Sequence, residues 1–343
     1  MAKKAAAKDG KADRFHDMMK AANVRALWER TVHNPREPAS EPPRLWRWAE
    51  IEPMIDLAVQ ATDMAGAERR VLSLANPDMD LGKGSSVTTN LNAGFQILMP
   101  GETARVHRHT ADALRFVLDG GNARTLVDGK SCPMQDRDLI LTPGWAWHEH
   151  VNDGDERVIW LDALDVPLLR YLDCQFYDPG PAGNFPPLPA DAAYAGGGVV
   201  PQLGDDDGMP GYSPLFRYPW ADVMAAFARM PAAADGSRRV RYTDPATGGP
   251  AMRLFDIYAI DLAKGRPTTS RRTTANAFCL VVEGEGHSTI GGTRIDWRER
   301  DVFTLPHWNW ISHVAASDDT RLFMGTDREV LRRLGLLREE TRI

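Results

Sequence analysis

Val117-Leu118-Asp119-Gly120 returns as Val281-Val282-Glu283-Gly284, an offset of 164 residues. With one residue dropped, Asp128-Gly129 meets Gly291-Gly292, Arg137-Asp138 with Leu141-Thr142-Pro143 meets Arg300-Asp301 with Thr304-Leu305-Pro306, and Trp145-x-Trp147 meets Trp308-x-Trp310, all at an offset of 163. A single gap accounts for every match, so the chain holds two copies of one unit. In the first copy, short apolar runs at 94–99, 114–118, 124–127, 139–141 and 158–161 are broken by Gly, Pro and Asp. Strands this short and closely spaced predict a sandwich or barrel, with the Asp-Gly or Gly-Gly pair as a tight hairpin at the middle of each copy.

Around this core the texture differs. Apolar residues fall at helical intervals over 13–30 and again over 48–64, separated by a Pro-rich stretch at 34–43. Nine prolines, the tract 195–198 and the acidic run 205–208 lie between Tyr177 and Trp220 and read as an irregular connection. A second strand-rich region covers 252–324, and Leu331, Leu334 and Leu337 suggest a terminal helix over 328–340. The expected domains are an N-terminal tail and helical arm at 1–70, a first β unit at 71–176, a connection at 177–250, a second β unit at 251–326 and a C-terminal helix at 327–343.

The 343 residues are 43% hydrophobic and 26% charged, enough apolar content for a large core. A net charge of -6, from 41 basic and 47 acidic residues, offers no global field for phosphate backbones, so nucleic acid is not an expected partner. Cys132, Cys174 and Cys279 are odd in number and far apart, which excludes a fully paired disulfide framework and a Cys-x-x-Cys clip. The Lys- and Ala-rich start lacks a following apolar segment and there is no 18-residue apolar run, so the expected compartment is the cytoplasm, with no membrane partner.

Four of the nine histidines form two pairs, His107-x-His109 and His148-x-His150. Residues two apart on a strand share a face, so His107 and His109 can offer both imidazoles to one point inside the β unit. His148 follows Pro143-Gly144-Trp145-Ala146-Trp147 and would enter from a facing strand as a third ligand. Such a set leaves coordination positions open, as a catalytic metal requires. In the second copy the register puts Arg271, Thr273 and Ile311 at the three positions, none of them a ligand, while His313 matches His150. The second unit is therefore expected to be metal-free.

Gly101-x5-His107-x-His109 and Pro143-x4-His148-x3-Asn152 resemble the two motifs of the cupin superfamily, and the duplication makes the chain resemble a bicupin, two tandem double-stranded β-helix (jelly-roll) barrels in a mainly all-β fold. More narrowly, residues 98–102, 107–110, 113–116 and 145–150, with 67–72 and 159–165, resemble the gentisate 1,2-dioxygenase group, which includes salicylate and 1-hydroxy-2-naphthoate dioxygenases. Ala113 and Leu114 stand where many cupins carry a glutamate ligand, consistent with the three-His Fe(II) site the resemblance implies. It also implies a homotetramer and O2-dependent cleavage of a 2-hydroxybenzoate between C1 and C2, as in gentisate or a 5-substituted salicylate such as 5-nitrosalicylate, and with no ligands at the matching positions of the second copy one Fe(II) per chain is expected. Two other readings compete: a zinc or manganese isomerase or decarboxylase, and a non-enzymatic bicupin that binds or stores a ligand.

The remaining residues are read around that metal. Arg115, six residues beyond His109, keeps the inward parity and is the counter-ion for a substrate carboxylate, a role the resemblance also assigns; the alternative is a surface ion pair. His150 can hydrogen-bond substrate or oxygen as an acid or base, or can pack, as the persistence of His313 suggests. Asp162 either orients an imidazole or is a solvated strand end. Gly94 and Gln96 match pocket-lining positions of the family: Gly94 to let the ring approach the backbone, or as a bulge; Gln96 to donate a hydrogen bond, or as an exposed amide. Arg70, or its neighbour Arg69, is a second carboxylate anchor or a solvated face. Asn92 stands where family members often carry an aromatic residue, which should open space beside the substituent at ring position 5 and admit nitro, amino or halogen groups. Trp145, Trp147 and Trp160 are read as core aromatics.

Overall fold

The computed structural model describes residues 2–29, 41–63, 66, 69–79, 85–181, 183–185, 187–195, 199–201 and 212–342. Two compact units cover 1–39 and 40–343. In the first, helix α1 (Ala2–Ala21) stops before left-handed Asn23, so the helix expected as far as Arg30 ends early. A 3-10 turn over Leu27–Glu29 follows, and Trp28 stacks on Phe15 at 6.1 Å.

The second unit opens with strand β1 (Leu45–Trp46) and helix α2 (Trp48–Ala61). The first β copy then runs through β2 (Val71–Ser73), β3 (Asn92–Leu98), β4 (Thr103–His109), β5 (Ala113–Asp119), β6 (Ala123–Val127), β7 (Lys130–Pro133), β8 (Leu139–Thr142), β9 (His148–Asn152) and β10 (Val158–Leu164). After helix α3 (Val166–Tyr171), the connection supplies β11 (Tyr177–Pro179), β12 (Arg217–Tyr218), helix α4 (Trp220–Arg229) and β13 (Arg238–Arg241). The second copy comprises β14 (Asp256–Leu262), β15 (Arg271–Thr273), β16 (Ala277–Glu283), β17 (Glu285–Ile290), β18 (Thr293–Arg298), β19 (Val302–Leu305), β20 (Ile311–Ala315) and β21 (Thr320–Thr326), followed by helix α5 (Arg328–Arg333) and β22 (Glu339–Thr341).

Four antiparallel sheets result, two per copy. The first copy pairs the sheet β12-β8-β5-β10-β3-β2 with β11-β4-β9-β6-β7, and the second pairs β1-β19-β16-β21-β14-β13 with β18-β17-β20-β15-β22. The hairpins fall where the repeat places them: Asp128 (φ 45°) with Gly129 (φ 78°), and Gly291 (φ 56°) with Gly292 (φ 88°), have both central residues left-handed.

The unbroken apolar runs of β3, β5 and β10 have a packing cause: their sheet is covered on both faces. One set of side chains, including Leu98, Val117, Val158 and Trp160, fills the interior of the first copy. The alternate set, including Phe95, Ile97, Leu114, Phe116, Ile159 and Leu161, packs against Ile257, Phe278, Leu280 and Phe323 of the second copy. Phe116 and Phe323 meet there at 4.4 Å. The two copies thus stand back to back, and the face a residue occupies decides whether it serves the seam or the interior.

The copies also exchange arms. β1, from ahead of the first copy, pairs with β19 of the second, and β12, from the connection, pairs with β8 of the first. Trp48 and Trp220, at the starts of α2 and α4, donate their backbone N–H to Asp301 and Asp138, equivalent aspartates of the opposite copies. The connection therefore carries regular structure from Arg217 to Arg241, including β12 at the end of the stretch up to Trp220 that reads as irregular from its prolines. The terminal helix is likewise shorter than expected: Gly335 (φ 70°) ends it, Leu334 is exposed, and residues 339–341 pair with β15. No described helix is long and apolar enough to cross a membrane. The seam predicts that Phe116→Ala, which empties its centre without touching a polar residue, lowers unfolding free energy in a denaturant titration by about 3–5 kcal/mol.

Candidate metal centre and active site

The site lies in the first copy, where the alternation of β4 and β9 buries His107, His109, His148 and His150 and leaves Arg108 and Glu149 less covered. Simple alternation does not suffice, because Ala104 and His107, three residues apart, both face inward. A β-bulge supplies the correction: Ala104 pairs with His150, but His107 pairs with His148. The extra residue re-aims the chain, and the Arg105 carbonyl in the bulge accepts the Nδ1–H of His107 at 2.7 Å.

The other two rings are held in the same way. His109 Nδ1–H donates to the Ala111 carbonyl at 2.9 Å and His148 Nδ1–H to that of Ala146 at 3.0 Å. A carbonyl can only accept, so each bond fixes the tautomer and leaves Nε2 as a bare lone pair. All three Nε2 atoms are buried without a hydrogen-bond partner among the described residues. The ligand atoms of the three rings lie within 4.8 Å of one another. Burial, followed by the charge of Arg69, pushes His107 down to about 4; burial, His107 and then Arg115 push His109 to about 3; His148 falls well below the imidazole range through burial and then Arg115. Three neutral imidazoles with converging lone pairs are what a divalent metal requires.

On the other sheet of this copy, β3, β5 and β10 present the opposing groups. Arg115, Asp162 and Gly94 are cross-strand neighbours. Arg115 Nε lies 3.2 Å from Asp162 Oδ1 and Nη1 bonds Thr142 Oγ1, so Arg115 is a buried inward cation and not a surface ion pair. Asp162 is neither solvated nor partnered with an imidazole in these contacts: it pairs with the guanidinium. Gln96 is buried beside Trp160, and its Nε2 has no partner among the described residues.

Other residues take different duties. Arg70 is buried in a bidentate pair with Glu102, both bonds 2.9 Å, and also donates to the Thr62 carbonyl, which leaves it unavailable as a carboxylate anchor. Arg69 is the arginine directed at the site: it donates to the Tyr177 hydroxyl at 3.3 Å, Tyr177 stacks on His107 at 5.5 Å, and no carboxylate pairs with Arg69 among the described residues. At Gly94 a Cβ would come within 2.9 Å of the Leu72 carbonyl oxygen, so the glycine makes room for β2 and not for a ring. Asn92 Oδ1 accepts from Leu164 N–H at 3.1 Å, committing half of its amide to the strand end.

The second copy separates structural devices from site chemistry. Arg271 pairs with Ile311 as His107 does with His148, so the non-ligand residues do occupy the ligand positions. His150 bonds Thr125 at 2.9 Å, and His313 bonds Ser288, 163 residues after Thr125, at 2.7 Å. The Thr/Ser–His bond is therefore part of the framework common to both copies. On the other face of β4, Arg108 lies between Trp145 and Trp147 (4.2 and 4.6 Å) and pairs with Asp178; Arg272 repeats this with Trp308, Trp310 and Glu340. Trp147 is thus a framework clamp, and Trp145 is half-exposed; Trp160 is a core aromatic as expected.

Comparison with known proteins agrees with this arrangement. Residues 94–164 match the cupin domain family. The chain is 35% identical to a 5-aminosalicylate 1,2-dioxygenase of Comamonas sp, covering 96% of this chain and 90% of the relative, and 35% identical to a gentisate 1,2-dioxygenase of Ralstonia sp, covering 94% and 92%. Among solved structures, salicylate 1,2-dioxygenase of Pseudoaminobacter salicylatoxidans, as its adduct with gentisate, superposes with a TM-score of 0.85 at 27% identity, covering 97% of this chain and 94% of that one.

The depressed histidines set an acid limit. Unfolded imidazoles take a proton near pH 6.5, whereas folded His107 resists to about 4 and His109 to about 3, so stability present above 6.5 is lost as pH falls toward 4. Melting curves in chelator should show Tm falling across that window. Metal analysis of loaded variants should find His148→Ala without the metal and His313→Ala with it.

Proposed function

The chain belongs to the gentisate and salicylate 1,2-dioxygenase family of ring-cleaving bicupin enzymes, and on that premise we propose that it is an Fe(II) enzyme opening a 5-substituted 2-hydroxybenzoate between C1 and C2. The observation that supports this most is the set of three buried, unpartnered Nε2 atoms facing Arg115 and Asp162. We assign the iron-bearing unit to 71–176, the linking segment to 177–250 and a second unit without iron to 251–326, in a cytoplasmic homotetramer on the family resemblance. Ferrous iron bound by His107, His109 and His148 would supply the redox centre for O2 and a Lewis acid for the substrate oxygens.

The protein's own groups then divide the work of holding the anion. Arg115 already shares its charge with Asp162, so it acts chiefly as an oriented donor; Arg69, with no carboxylate partner among the described residues, supplies the full counter-charge for the substrate carboxylate. Asp162 keeps the Arg115 fork aimed. Gln96 Nε2 is free to donate to a ring oxygen, and His150, anchored through Nδ1, offers Nε2 for a hydrogen bond to substrate or oxygen. Asn92 borders the ring, whereas Gly94 serves the close approach of β2. The polar amide of Asn92 favours a polar substituent at position 5, hence gentisate, 5-aminosalicylate or 5-nitrosalicylate.

Anaerobic Fe(II) loading followed by O2-uptake assays on gentisate, salicylate and its 5-amino and 5-nitro derivatives tests the reading. Turnover of at least one is expected; silence across the panel from iron-loaded protein contradicts it, and product formation without O2 consumption by zinc-loaded protein supports the isomerase or decarboxylase class. Arg69→Met should lower kcat/KM by roughly 10–100-fold, with Arg70→Met acting through stability instead.

A further inference from the structure

Behind the metal ligands lies a pair of carboxyl groups that the reaction does not use. Asp112 N–H donates to Asp165 Oδ1 at 3.0 Å; Asp112 Oδ1 accepts from Gly144 N–H at 2.6 Å and from Arg253 Nη2 at 3.0 Å. Arg253, which comes from the second copy, also donates to the Gly144 carbonyl at 3.2 Å. Both carboxyls are buried, and Oδ2 of each has no partner among the described residues.

The second copy shows what those atoms lack. Asn276 stands at the position of Asp112 and His307 at that of Gly144. Asn276 N–H donates to Asp327 Oδ1 at 2.8 Å, and His307 N–H donates to Asn276 Oδ1 at 3.1 Å. The pattern matches bond for bond, with one addition: the Asn276 amide donates to Asp327 Oδ2 at 3.2 Å. The corresponding atoms of the first copy, Asp112 Oδ2 and Asp165 Oδ2, are two carboxyl oxygens, which attract only if one carries a hydrogen. Each pair also receives an arm from the opposite copy, on different members: Asn90 of the first copy reaches Asp327 at 2.8 Å, whereas Arg253 of the second reaches Asp112 at 3.0 Å.

We propose that Asp112 and Asp165 hold one proton between them and, closed by Arg253, form a clamp through which the second cupin positions the metal ligands of the first. Charge counting agrees: two carboxyls with one proton carry a single negative charge, which Arg253 neutralises, whereas two ionised carboxylates would leave a buried charge unmatched. Burial and the adjacent Asp112 charge push the Asp165 carboxyl upward. The charged and titratable groups around the pair are Arg253 and, beside it, Tyr212 at 5.8 Å from the guanidinium. The mechanical link to the metal is short. Asp112 follows Ala111, whose carbonyl holds His109, and Gly144 opens the turn to Ala146, whose carbonyl holds His148. Trp145 N–H, between them, donates to the His109 carbonyl at 2.6 Å.

Asp112→Asn, Asp112→Ala and Arg253→Met test it, with Co(II) as the metal probe. A shared proton that the unfolded chain lacks adds stability that is lost as pH rises from about 5 to about 8, opposite in sign to the histidine contribution, so the stability of the wild type relative to Asp112→Asn, whose amide brings its own hydrogen, should fall across that range. Infrared spectra at neutral pH should show a protonated-carboxyl C=O band in the wild type that Asp112→Asn loses. Co(II) affinity should stay within about twofold in Asp112→Asn and drop roughly 10–100-fold in Asp112→Ala and Arg253→Met. An identical pH slope and no lost band in Asp112→Asn would overturn the shared proton. Full Co(II) affinity in Arg253→Met would overturn the clamp. Neither the slope nor the band depends on metal or turnover, so failure here is separable from failure of the ring-cleavage reading, and Asp112→Asn serves even if Asp112→Ala does not fold.

Discussion

Three imidazole N–H groups, each given to a backbone carbonyl two residues away, are the constraint on which the site depends. The carbonyls of Arg105, Ala111 and Ala146 lie in a bulge, a turn and a loop, and each fixes its ring so that Nε2 turns inward. A side chain held only by packing could rotate; one whose far nitrogen is already committed cannot do so without burying an orphaned donor. Much of the surrounding structure serves to place those three carbonyls. The bulge in β4, the Arg108 clamp between two tryptophans and the Asp112 contact to Gly144 all act on the segments that carry them.

The duplication supplies an internal comparison that few single-domain enzymes offer. The Trp-Arg-Trp clamp, the Thr/Ser–His bond and the left-handed tryptophans at 145 and 308 recur in the copy whose ligand positions hold Arg271, Thr273 and Ile311. They belong to the architecture. What occurs in the first copy alone is the set of three converging imidazoles, the Arg115–Asp162 pair and the double carboxyl. The second copy also contributes directly: its sheet forms half of the apolar seam, and Arg253 reaches into the first copy's turn.

Much of this was legible in the sequence, because repeat register and alternation are properties of residue order. The two copies, both hairpins and the grouping of His107, His109 and His148 are readable from register and spacing, and the inward face of Arg115 from parity together with the family resemblance. What escaped was what depends on partners distant in the chain. Nothing local tells Arg70, tied to Glu102, from Arg69, directed at the site; nothing near Gly94 announces that β2 crosses it; and the exchange of β1 and β12 between copies leaves no periodic trace. The bulge at Arg105 escaped for another reason, since it is visible only as a mismatch between two strands. The terminal helix was over-extended because its leucine spacing continues past Gly335, where the backbone turns.

Anomalous diffraction at the iron edge, from crystals of protein loaded with Fe(II) under anaerobic conditions, addresses the central claim most directly. The account predicts one peak per chain, within bonding distance of Nε2 of His107, His109 and His148, and none in the second copy. A peak elsewhere, coordination through Nδ1, or no peak after full loading would contradict it.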